Sequence, residues 1–280
     1  MVTLAYPSII PENNLRLPDA LTIKYGPAPL LARFMLEGDR IAREMGISLR
    51  VRHDFDELLY VNQQYCRSKA WYPLVDAFNP EHVDLTPENA FWISGENAHG
   101  EIVTTRITRT YNWLDTNLEQ QARAFWYGED QGQPCVVTAD AAKLISGIVA
   151  GGGAFWVRPD FRGKHLSHWI PRIGNALACA RWPIAWLFCY ISIDHVRKGL
   201  AVNYGQKHLS HSVFYPGSPR GEQVLAYTAA HEFYEDIAEV LECQRASKST
   251  DGISSVPNLL EHIVTNISSE GVRQGSISLS

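Results

Sequence analysis

Residues 157–170 read VRPDFRGKHLSHWI. The stretch starts as a strand should, passes Pro159, and continues as a helix should. Between the two lies a short basic turn, Arg162-Gly163-Lys164-His165. A chain that must turn from strand to helix here carries a net charge of −5, so a glycine and two cations at the junction call for a reason. One reason is an anion. A helix N-terminus presents unpaired N–H groups and the positive end of the helix dipole, and a neighbouring glycine allows a phosphate to come close. The other reading is a solvent-exposed loop that needs a flexible residue.

Composition narrows the classes. The 280 residues are 45% hydrophobic and 20% charged, as in an ordinary globular protein, with room for one large domain or two small ones. The 8 Trp and 12 Tyr supply area for a large core or a lined pocket. An isoelectric point near 6.1 argues against nucleic acid as a partner. No apolar run reaches membrane-spanning length, and MVTLAYPSIIPENN lacks the basic start and apolar core of a signal peptide. The five cysteines are widely spaced without a C-x-x-C, which predicts reduced thiols and a cytoplasmic location.

Along the chain, residues 20–26 predict a short strand. Residues 28–45 carry Leu30, Leu31, Phe34, Met35 and Ile41 at helical spacing, with Gly46 as C-cap. Residues 47–52 alternate as a strand, and Asp54 is placed to cap a helix over 55–69. Residues 90–110 form a hairpin signature around Gly95, Glu96, Asn97 and Gly100. On its second strand Ile102, Thr104, Arg106 and Thr108 share one face, and Val103, Thr105, Ile107 and Arg109 the other. Residues 111–136 read as irregular. Thr138 is placed to cap a helix to about Val149, and Gly151-Gly152-Gly153 to separate that helix from a strand over 154–159. A helix follows from His165, with Pro171 as a kink. Residues 185–192 predict a buried strand, 194–204 a helix, and 211–216 with 222–230 a final strand pair turning at Gly217, Pro219 and Gly221. The Ser-rich tail carries only NLLEHIVTNI as a helical turn or two. The order predicts a mixed α/β sheet flanked by helices.

The second half of the chain resembles the GNAT acyltransferase superfamily. Its acyl-CoA motif, approximately V-x-P-x-x-R-G-x-G-[IL]-[GAS], is matched by Val157, Pro159, Arg162, Gly163, Leu166 and Ser167, with His165 where the family has glycine. Tyr204 stands where the family has a tyrosine after its fifth strand, followed by His208 and Leu209 in place of Gly-Phe. The hairpin GENAHGEIVTTRI resembles the family's second and third strands. The resemblance spans roughly residues 47–235 and implies a central, mostly antiparallel sheet. It also implies an organisation in which an N-terminal extension (1–46) packs on an acyltransferase domain (47–245). That domain carries an insertion at about 111–150 and is followed by a flexible tail (246–280).

The resemblance further implies that acetyl-CoA, or another acyl-CoA, is bound by Val157, Arg162, Gly163, Lys164, His165, Leu166 and Ser167, and that an amine attacks the thioester directly. Tyr204 would protonate the departing thiolate. A histidine at 165 is tolerable if its backbone is right-handed helical. For the general base the chain offers His168, Glu101, Asp194 and His195. Tyr190 and Ser192 lie where the sheet opens to ligands, as acceptor-site or packing residues. Arg106 and Arg109 meet an acceptor carboxylate or face solvent. Trp92, Trp113, Trp126 and Tyr127 form an apolar acceptor wall or core. His165-x-x-His168 and His208-x-x-His211 have metal-ligand spacing, but no cysteine or carboxylate pair completes a set, so no metal is expected.

The expected reaction is acetyl transfer to a primary amine of a small molecule or peptide. The alternatives are a non-catalytic CoA-binding module, and a transferase using a longer acyl-CoA or an acyl-carrier-protein donor. Nucleic acid and membrane partners are not expected, and a homodimer is compatible with the sequence.

Overall fold

A computed structural model describes residues 14–126, 136–214 and 223–250. Nine strands form one sheet in the order β1-β2-β3-β4-β6-β7-β9-β8-β5. They are β1 (Asn14–Arg16), β2 (Ser48–Arg52), β3 (Ala90–Glu96), β4 (Ile102–Trp113), β5 (Val136–Val137), β6 (Gly147–Val157), β7 (Trp186–Ser192), β8 (His208–Phe214) and β9 (Gln223–Ala229). Every neighbouring pair is antiparallel except β6–β7, which is parallel. The mixed, mostly antiparallel sheet expected from the sequence is therefore present. The compact unit through Ala238 contains all of it. A second unit begins at Glu239, inside the helix Ala230–Thr250.

Helices cover both faces. On one lies α1 (Ala28–Glu44), packed on α5 (Leu166–Arg181). Phe34 stacks on Trp169 at 5.5 Å between ring centroids. Gly38 is required there, since a Cβ would lie 2.6 Å from Ile173 Cδ1. α5 is buried on nearly every side because it is sandwiched between α1 and strands β4 and β6. On the other face α2 (Phe55–Arg67) brings Phe55 and Leu58 to Phe78, Trp92, Ile107 and Ala154. Asp54 caps α2 as expected, accepting from the Glu57 N–H at 2.9 Å. Gly46 takes the left-handed φ of +76° after α1.

Several expectations are corrected. Residues 20–26 are not a strand; β1 lies earlier, and Leu17–Ala20 is a 3-10 turn. Of the segment 111–136, the described residues 111–126 are less irregular than expected. β4 runs to Trp113, and α3 (Leu118–Trp126) packs with the short α4 (Asp140–Leu144) around Leu118, Ala122, Ala142 and Ile145. Thr138 caps nothing, and the predicted helix to Val149 stops at Leu144. The helix expected over 194–204 is two short turns, α6 (Ile193–Arg197) and α7 (Leu200–Asn203), parted at Gly199 with φ +75°. α5 runs unbroken through Pro171. A helix not expected, α8 (Ala230–Thr250), follows β9. Gly217, Pro219, Gly221, Tyr127, Cys135 and NLLEHIVTNI lie outside the described residues. Among the described residues no helix is long and apolar enough to cross a membrane.

The glycine run is part of β6 and does not precede it. Each glycine has a large neighbour where its side chain would be. A Cβ at Gly151 would sit 3.0 Å from Phe188 Cζ, at Gly152 2.1 Å from Arg106 Nη2, and at Gly153 2.0 Å from Phe78 Cε2. Glycine is otherwise poor in strands, so the run reflects three close approaches on two faces.

Arg172 ties α5 to the first turns of α8 through a buried ion pair, and to α7 through backbone carbonyls. Arg172 Nε and Nη2 donate to Asp236 Oδ2 and Oδ1 at 2.7 and 3.1 Å. The same guanidinium donates to the carbonyls of Val202, at 3.2 Å, and of Asn203. His168 Nδ1 is 3.2 Å from Arg172 Nη1. Burial first, and the Arg172 charge second, lower its imidazole pKa from 6.5 to about 4.

Two predictions follow from this packing. Gly153→Ala forces its methyl against Phe78 and should cost about 1–3 kcal/mol, read as a lower urea midpoint, with part of the loss recovered in the Phe78→Leu background. Between pH 6.5 and pH 4 the unfolded chain holds a proton on His168 that the folded chain lacks. Stability should therefore fall as pH is lowered through that window. The urea midpoint measured against pH should drop less steeply in His168→Gln than in the wild type.

Candidate functional site

The parallel pair β6–β7 is held over three residue pairs only, Val149–Trp186, Ala150–Leu187 and Gly151–Phe188. Beyond them β6 stays with β4 and β7 stays with β9, so the two strands part. Their facing edges beyond the split are not paired with each other. A cavity of about 680 Å³ occupies the wedge. It is walled by residues 152–157 of β6 and 189–192 of β7, and closed by the turn before α5 and by α6 and α7.

A bulge shapes one wall. β4 pairs Thr105 with Trp156 and Ile107 with Gly153, so Arg106 faces two residues, Ala154 and Phe155. Ala154 takes φ +47°, a left-handed conformation seldom adopted outside glycine. A bulge re-aims side chains, and here Phe155 meets the ring of Tyr204 edge-on at 5.4 Å.

After a 3-10 turn at Pro159–Phe161, Arg162 is extended and Gly163 takes φ +79°, with open space where a Cβ would be. α5 then begins at Leu166 with no side-chain cap and no acid in its first turn. Helices usually have one or both; this N-terminus has neither. His165, expected to be right-handed, is left-handed at φ 57°. That explains the glycine of the motif, and a histidine there costs about 1–2 kcal/mol.

The cavity brings together most of the residues singled out from sequence. Val157, Arg162, Gly163, His165, Leu166, Ser167, Arg106, Tyr190, Ser192 and Tyr204 all line it. Lys164 does not; its Nζ lies 4.3 Å from the centre of the Phe161 ring. Of the base candidates, Asp194 and His195 line the cavity. Glu101 is held outside by Arg158 at 3.0 Å, and His168 is engaged by Arg172. Trp92 of β3 and Trp113 of β4 are core residues, packed with Phe55 and Leu58 of α2 and with Leu118 and Ala122 of α3 respectively. Arg109 is half-buried and donates to the Ala77 carbonyl at 3.1 Å. The side chains of Trp126 and His211 lie outside the described residues. Among those described, no three His, Cys, Asp or Glu side chains gather as a metal site would need.

Sequence reasoning missed Gly152, Phe155 and Cys189, which line the same wedge. A run of three glycines beside a β-rich segment was the available signal for close approach. Tyr204 is 9% exposed. Burial, then the neighbouring Cys189, raise its phenol pKa, while Arg106 lowers it. The phenol is therefore protonated at neutral pH. Cys189 is likewise pushed up to about 11 by burial, and its thiol stays protonated.

No family model matches the chain, and no curated protein matches it in sequence. Among solved structures the chain is similar to aminoglycoside acetyltransferase AAC(6')-Ib in complex with coenzyme A and kanamycin, at 14% identity and a TM-score of 0.40, covering 68% of this chain and 98% of that one. The GNAT domain of PAT from S. lividans is similar at 16% identity and a TM-score of 0.36, covering 65% and 90%. NAA60 of Arabidopsis thaliana in complex with a bisubstrate analogue is similar at 9% identity and a TM-score of 0.40, covering 65% and 97%. Of these three, one is an aminoglycoside acetyltransferase and another a GNAT domain.

Proposed function

We propose that the chain is an acyl-CoA-dependent N-acyltransferase that passes an acetyl group to a primary amine of a small molecule or peptide. The observation that carries this reading is the wedge itself. Two parallel strands part after three residue pairs, and an uncapped helix N-terminus closes the opening. A thioester arm can lie between the parted strands and pair with their free edges, while its pyrophosphate meets the N–H groups of α5 beside Arg162 and Gly163. Val157, Leu166, Ser167 and His165 line that path.

The chemistry follows from the wall. The amine nitrogen attacks the thioester carbonyl, the C–N bond forms and the C–S bond breaks. The departing sulfur takes the proton of Tyr204, which burial keeps protonated. The proton lost by the amine passes to Asp194 or His195 on α6, and Tyr204 is reprotonated from solvent. Burial pushes the Cys189 thiol up to about 11, which disfavours it as a covalent carrier and favours direct transfer. Tyr190 and Ser192 lie on the acceptor side of the opening.

Two measurements test this. Gly163→Asp puts a carboxylate where phosphate is to sit and should weaken CoA binding by a few kcal/mol in calorimetry. Gly163→Ala, which adds backbone strain without charge, should lose much less. Equal affinity in Gly163→Asp and wild type would move the pyrophosphate elsewhere. Tyr204→Phe keeps the ring against Phe155 but removes the proton. Its kcat for thiol release should fall about 10²–10⁴-fold, with little change in acetyl-CoA affinity. Full activity in the folded variant would leave water as the proton source. CoA binding without turnover of any amine would mark a binding module.

A further inference from the structure

Arg106 is a buried cation with no anion. It is 2% exposed and sits at the vertex of the wedge, between β6 and α5. Its guanidinium fills the place of the missing Gly152 side chain, at the first residue past the split, and its Nε fills that of Gly174 on α5. Among the described residues it makes one hydrogen bond, from Nη2 to Asn175 Oδ1 at 2.8 Å, and its Nε is buried with no partner. No carboxylate pairs with it among those residues; its charged-state neighbours are Cys189 and Tyr204, both protonated as argued above.

An arginine does not shed its charge at neutral pH. A buried charge is normally paired, because leaving it alone costs several kcal/mol. Arg172, buried to a similar degree on α5, has Asp236 and three carbonyls, those of His168, Val202 and Asn203. Arg106 is instead kept at the closed end of a cavity, and two glycines are given up to make room for it.

We propose that Arg106 receives a carboxylate of the substrate at the vertex of the wedge. This rests on the acyltransferase reading, in which the reacting thioester lies at that vertex. The carboxylate belongs either to the far end of the acyl chain, making the donor a dicarboxylic acyl-CoA, or to an amine acceptor of the amino-acid class. Both present the same planar anion to a guanidinium, which can take it through two N–H groups.

The test uses the full chain, first in calorimetry with CoA alone and then in two arms. The donor arm compares the affinities of succinyl-CoA and butyryl-CoA, which share a four-carbon chain. The acceptor arm compares kcat/KM for the common amino acids and for their carboxamides, with acetyl-CoA as donor. In one arm the carboxylate form should be favoured about 10–100-fold, the worth of a hydrogen bond to a charged group. That preference should vanish in Arg106→Gln and persist in part in Arg106→Lys. CoA binding with no carboxylate preference in either arm of the wild type would overturn this proposal alone. So would a preference that Arg106→Gln leaves intact. Absence of CoA binding would overturn the acyltransferase reading and this proposal together.

Discussion

The single parallel pairing in the sheet is the constraint on which the site depends. Antiparallel neighbours can be joined by short turns, but a parallel neighbour requires a crossover. The chain makes that crossover once, from β6 through α5 to β7. The crossover helix must start near the end of β6, so its N-terminus arrives at the open end of the gap between β6 and β7. Parted strand edges, free helix N–H groups and the end of β7 then share one opening, which is where α/β sheets usually take ligands. The turns after β7 complete it by bringing Tyr204 against Phe155.

Two buried arginines hold opposite roles around that opening. Arg172 is saturated. Its carboxylate partner and its bonds to the Val202 and Asn203 carbonyls fix the end of α7, where Tyr204 begins the next segment. A buried pair of this kind adds little to stability over an apolar equivalent, yet losing one member leaves a stranded charge. Arg172 thereby specifies where the Tyr204 ring can sit. Arg106 is under-bonded at the cavity floor, and the difference between the two marks which charge is structural and which is left for a ligand. His168 adds a cost to the saturated node, since it must stay neutral beside Arg172.

The backbone departures gather at the same place. Ala154 and His165 are two of the three non-glycine residues with positive φ among those described, and both border the cavity. Each costs about 1–3 kcal/mol and persists only where the surroundings impose it. The β4–β6 register imposes the first, and the sharp entry into α5 imposes the second.

Much of this was legible in the chain itself. Local physics was sufficient for the amphipathic α1 with its Gly46 cap, for Asp54 ahead of α2, for the β3–β4 hairpin, and for the strand–turn–helix at 157–170. Each depends on residues close in sequence. The alternating faces of β4 were readable too, so Arg106 and Ile107 were separated correctly. What the sequence could not state was which strands lie side by side. Gly151–Gly153 read as a linker because glycine weakens a strand, and only the distant side chains of Phe188, Arg106 and Phe78 explain why it is needed in one. The helix over 194–204 broke at Gly199, which takes φ +75°, and β1 formed before residue 20 because pairing with β2 outweighed local preference. Arg106 looked like either a solvent-facing residue or an acceptor ligand. Only the register of β4 against a bulged β6, with α5 laid over both, buried it without a counter-ion. Pairing partners are set by long-range burial, and that decided the wedge, its floor and its unmet charge.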